Sequence, residues 1–128
     1  MNKAEFKARI LECGERSFYA DDTVNNIFKR NPIYIMSWGW DKLIYLESKD
    51  YPDEQVGFMF NVTGLLFKGA VMVTLSWNDT FTVRFFRRDI LLDGTVSAVE
   101  VKEMQRNEVY ADNLLITIDE LVERGRQY

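Results

Sequence analysis

Residues 56–88 read VGFMFNVTGLLFKGAVMVTLSWNDTFTVRFFRR, and apolar side chains recur there at every second position in three separate runs. Val56, Phe58, Phe60 and Val62 alternate with Gly57, Met59 and Asn61. Val71, Val73, Leu75 and Trp77 make the second run. Phe81, Val83 and Phe85 make the third, alternating with Thr82, Arg84, Phe86 and Arg88. Alternate residues of a strand share a face, so each run predicts a β-strand with one face in the core. The breaks carry turn formers: Gly64 as a bulge or bend, Lys68-Gly69 as a turn, and Asn78-Asp79 as the next.

The same period extends outward. In IYIMSWGW (33–40), Ile33 and Ile35 fall on one face, opposite Tyr34, Met36, Trp38 and Trp40. This predicts a strand covered on both sides or near the centre of the sheet, with KLIYLE (42–47) as its hairpin partner and Asp41 at the turn. SKDYPDE (48–54) reads as a polar loop. Downstream, Asp93-Gly94 is a strong hairpin signal, and a last strand is expected at about 96–101.

The two ends of the chain change period. Phe6, Ile10 and Cys13 fall on one helical face, with Gly14 as a stop. A second helix is expected over about 22–30, capped by Asp21, Asp22 or Thr23 and ended by Pro32. Near the C-terminus Leu114, Leu115, Ile118, Leu121 and Val122 form an apolar stripe. Asp112 is the expected cap and Gly125 the stop, with Glu120 and Arg124 as an i, i+4 pair. Helices, then strands, then a helix predict one α+β domain over residues 1–128. Its expected form is a single antiparallel meander of about five or six strands, flanked by N-terminal helices and one C-terminal helix.

The 128 residues are 47% hydrophobic, with nine Phe, six Tyr and three Trp, enough for a core without covalent staples. The net charge of −4 is uneven: residues 61–90 sum to +2, and residues 91–128 to −4. Cys13 is the only cysteine, so no intrachain disulfide is expected, and its stripe position predicts a buried, inert thiol. The first ten residues mix charges with apolar side chains and do not read as a signal peptide. A cytoplasmic protein without membrane contact is therefore expected, in which the sequons at Asn61 and Asn78 go unused.

Trp38-Gly39, followed by FMFNVTGLLFKGAVMVTLSWNDTFTVRFF, resembles a family of small uncharacterised proteins carried on bacterial mobile elements. The resemblance spans about residues 33–88, with Trp38, Gly39, Gly64, Lys68 and Gly69 at the matching positions. It implies a Trp-Gly strand ahead of an apolar meander and a mobile-element origin, with no activity attached.

Catalytic chemistry is hard to assemble from these residues. Without histidine there is no Ser-His-Asp or Cys-His arrangement and no histidine metal ligand, and no phosphate-binding or dinucleotide loop is present. Asp50, Asp53 and Glu54 share a loop but lack calcium-ligand spacing. A carboxylate hydrolase would need two acids converging in a cleft. The expectation is a non-enzymatic binding or adaptor module with no cofactor and no metal.

Two surfaces could serve it. Trp38 and Trp40 are either core under a helix or an aromatic platform for a base or a protein partner. Arg84, Phe86 and Arg88 are either a half-solvated sheet face or a single-strand nucleic-acid surface, with cations for phosphate and a ring for a base. The expected partner is a protein or a second copy of the chain, with single-stranded nucleic acid as the alternative. Asp119, Glu120 and Glu123 are expected to face outward with Ile116, an acidic helix face suited to a basic partner or a twin subunit.

Overall fold

The computed structural model describes residues 1–90 and 96–124. Its centre is a six-stranded antiparallel sheet. β1 (Asp41–Glu47), β2 (Gln55–Thr63), β3 (Lys68–Leu75), β4 (Phe81–Ile90) and β5 (Val96–Glu100) lie side by side in chain order. A sixth strand, β6 (Arg106–Val109), shares the outer edge of β4 with β5. β5 takes the half of β4 from Phe86 onward and β6 the half from Phe81 to Val83. RNEV in β6 has no apolar alternation, so nothing in its sequence announces a strand.

Helices cover both faces, giving the α+β architecture predicted. α1 (Lys3–Cys13) packs on one face. The other carries α2 (Ala20–Thr23), extended by a π-helical turn Val24–Phe28, then α3 (Pro32–Ser37) and α4 (Leu114–Asp119), extended by a π-helical turn Glu120–Arg124. No helix of the described residues is long and apolar enough to cross a membrane.

The meander registers explain why both faces are apolar. Phe58 lies opposite Val73 and Phe60 opposite Val71, while Val71 and Val73 face Phe85 and Val83 on the next strand. These side chains join Phe28, Trp38, Leu114 and Ile118 in the larger core. The intervening Met59, Ala70, Met72 and Phe86 form a second core with Cys13 and Leu46, against which Phe6 and Ile10 of α1 pack. Each fully buried side chain of this size contributes about 1.5–3 kcal/mol relative to exposure. Cys13 is buried as expected, and burial pushes its thiol pKa up.

Residues 33–40 depart from the expected strand. Pro32 opens α3 at its first turn, where its missing N–H costs nothing, rather than only ending the helix before it. In the helix Tyr34, Ile35 and Trp38 turn inward, leaving Ile33 75% and Met36 78% exposed. A tract with apolar residues at adjacent positions, as in Ile33–Met36, fits both periods, and the proline decides it. The Trp38-Gly39 pair of the resemblance therefore closes a helix, and Asp41 begins β1 rather than turning a hairpin. The partner of β1 is β2, with Tyr45 opposite Phe58.

Other expectations are corrected locally. Lys68 and Gly69 lie within β3, so the preceding turn is built from residues 64–67. Gly64 is needed there because a Cβ would strike the Val122 carbonyl. The second helix has Tyr19 at its N-cap position, without a side-chain cap. Asn113, not Asp112, stands at that position of α4, again without a side-chain bond. Asp119 is buried, because it lies one turn beyond Leu115 on the inward stripe. Asp93-Gly94, Gly125 and the Arg124 side chain lie outside the described residues.

Candidate functional site

The two expected surfaces meet different fates. Trp38 is fully buried, and its indole N–H donates to Asp119 Oδ1 at 2.8 Å. Trp40 is half-buried and stacks on Phe60, with ring centroids 4.5 Å apart, while Phe28 meets it edge-on at 5.3 Å. Trp38 is therefore core, and the Trp40 ring has a face already occupied. Phe86 is only 1% exposed, because Phe6 of α1 meets its ring edge-on at 5.1 Å.

The expected Arg84–Phe86–Arg88 face is thus divided by α1. Arg84 is half-buried on one side, where its Nη1 donates to Thr74 Oγ1 at 3.1 Å. Arg88 is exposed on the other, donating from Nη2 to Asn61 Oδ1 at 3.0 Å. The three residues do not form one surface.

Around Arg88, the end of the sheet that α1 leaves uncovered is notched. A cleft of about 470 Å³ is lined by Gly39, Asp41, Lys42, Lys68 and Arg88. It shares Lys42, Asn61 and Arg88 with a smaller one of about 240 Å³, whose floor includes Phe6, Ile44, Met59 and Phe86 and whose wall includes Arg87. Together they make an apolar floor rimmed by the cations Lys42, Lys68 and Arg88, against one acid, Asp41. On a chain of net charge −4, this is a local inversion of sign.

Local backbone geometry places the rim. Lys42 has φ +54 and sits where the β1–β2 register slips between Asp41 and Ile44. Its N–H bonds Asp41 Oδ1 at 2.9 Å, the kind of local side-chain bond that holds a left-handed residue in place. Lys68 and Arg88 arrive from β3 and β4. Lys42 and Lys68 escape a linear reading because they come from two strands and share no motif. The one trace of them is the +2 balance of residues 61–90.

The loop acids lie elsewhere. Asp53 and Glu54 line a separate cleft of about 480 Å³ with Ser17, Tyr19 and Asp21, and Ser17 Oγ donates to Glu54 Oε2 at 2.7 Å. Among the described residues no group of three or more His, Cys, Asp or Glu is placed to hold a metal ion. The chain matches no protein-family model, no curated protein and no solved structure.

Proposed function

We propose that the protein is a non-enzymatic binding module that docks a protein segment in the notch beside α1. That segment carries an apolar side chain flanked by carboxylates. The observation that carries this reading is the apolar floor of Ile44, Phe6 and Met59 under a rim of three cations. An apolar centre with a polar rim is the anatomy of a protein interface. The rim charges set orientation and association rate, and the floor supplies most of the affinity.

The chain itself presents such a segment. Asp112, Ile116 and Glu120 follow one another at helical spacing and all three are exposed, so a second copy is one candidate occupant. Single-stranded nucleic acid is the second reading, supported by the same cations. With Trp38 and Phe86 in the core, it would rest on phosphate contacts rather than on those rings.

Titration calorimetry separates these readings, using a helical peptide with the Asp112–Ile116–Glu120 pattern and a short oligothymidylate as probes. The proposal expects saturable peptide binding, weakened at least tenfold by Arg88→Glu and by Ile44→Asp. Oligothymidylate binding that falls steeply with salt, with no peptide binding, would move the assignment to nucleic acid. No binding of either would remove the notch as the site.

A further inference from the structure

On the far side of α1, Arg84 opens onto a cleft of about 490 Å³ that the notch does not reach. Its walls are the β3–β4 turn on one side and β6 on the other, and three features there have no explanation in the fold. Trp77, expected inward from its period, stands 74% exposed on the turn. Glu108 holds φ +53, in the left-handed region, where β6 slips register against β4. Arg84 Nε is buried within the wall without a hydrogen-bond partner.

The Glu108 backbone and the unpaired Arg84 Nε each carry a free-energy penalty. A non-glycine residue in a sparsely populated backbone region costs about 1–3 kcal/mol, and such residues cluster at functional sites. A buried donor without a partner costs about 1–3 kcal/mol. The exposed indole is not a loose end, because the turn that carries it is pinned. Ser76 N–H bonds Thr80 O at 2.8 Å, Thr80 Oγ1 donates to Asn78 Oδ1 at 2.6 Å, and Arg16 pairs with Asp79.

The side chains around the cleft are chemically mixed. Besides Trp77 and Arg84 they include the carboxylates of Glu15 and Glu108 and the amides of Gln105 and Asn107. Gln105 Nε2 already donates to Asn107 Oδ1 at 2.9 Å, which orients both amides. Two carboxylates against one guanidinium disfavour an anion, so the cationic character of the notch does not extend here. A ligand that meets this set must donate and accept at many points and offer a flat, weakly polar C–H face to an indole.

We propose that this cleft binds a saccharide, with one face of a pyranose ring on Trp77 and its hydroxyls between Arg84, Asn107 and the two carboxylates. The inference is independent of the notch and its partner. Trp77 is the platform, and Arg84, Asn107, Glu15 and Glu108 supply the polar groups that line the cleft around it.

A glycan array, followed by titration of the best binder with glucose, galactose and N-acetylglucosamine oligomers as further probes, tests this by the Trp77 indole N–H resonance. The expected result is a saturable shift confined to the cleft. Trp77→Ala, at an exposed site that leaves the fold intact, should weaken binding at least tenfold by titration calorimetry, since that variant lacks the reporting indole. Glu108→Gly, which removes the carboxylate and relieves the backbone, should weaken binding while raising the melting temperature. No shift with any saccharide would overturn the proposal. So would shifts produced by nucleosides and not by sugars, which would give the cleft to a planar base.

Discussion

Gly39 separates the two tryptophans and decides where each one goes. With φ +63 it reverses the chain after α3, so that Trp38 enters the core while Trp40 lies along Phe60. A Cβ there would meet Thr63 Oγ1 as well as an unfavourable backbone well. Gly39→Ala should therefore lower stability by about 1–3 kcal/mol, measured as a shift in the urea midpoint at unchanged slope. Trp38 and Asp119 form the other decisive pair, a buried indole N–H on a buried carboxylate, joining α3 to α4. Trp38→Phe keeps most of the ring burial but takes away the donor, and should cost about 1–3 kcal/mol by chemical denaturation. A loss below a few tenths would show that the bond contributes little. The sequence did not reveal this pair. Asp119 reads as one more outward acid, and only the helical phase set by Leu115 and Val122 turns it inward.

The strands of the meander were legible because β2, β3 and β4 repeat period two with turn formers between them. α3 was not, because the four consecutive apolar residues Ile33–Met36 satisfy two periods at once. The role of α1 was half legible: its stripe predicts a packed face, yet nothing in it says which sheet face it covers. It covers Phe86, so the ring offered by the alternative reading of that face is in the core rather than on the surface. One ionic contact fixes α1 in place. Arg9 Nε and Nη2 donate to the Glu100 carboxylate at 2.7 and 3.1 Å, and this bond to Arg9 holds the Glu100 pKa below the ordinary carboxylate value. A depressed folded-state pKa stabilises the fold above the unfolded value and loses that contribution as pH falls through the folded one. Glu100→Gln should thus be less stable than wild type by about 1–2 kcal/mol at neutral pH, the pair being partly solvated. The gap should close in strong acid. Thermal melts across that range check it, and a gap independent of pH would assign the loss to packing instead.

At the scale of the whole molecule the charge is sorted by surface. Among the acids after residue 90, Asp112 and Glu120 stand exposed on either side of α4, while three cations converge beside α1 from strands far apart in the sequence. That convergence was not legible, since register and a single left-handed lysine create it. Charge reversal at Arg88 should slow association with an acidic partner more than it speeds dissociation, whereas Ile44→Asp should act mainly on dissociation. Stopped-flow kinetics with the acidic helical peptide separates the two. The most direct test of the notch is backbone and side-chain chemical-shift mapping during titration with that peptide. The account predicts shifts gathered at Lys42, Ile44, Asn61, Lys68 and Arg88 and absent at Trp77. Shifts elsewhere on the molecule, or none at saturating peptide, would contradict it.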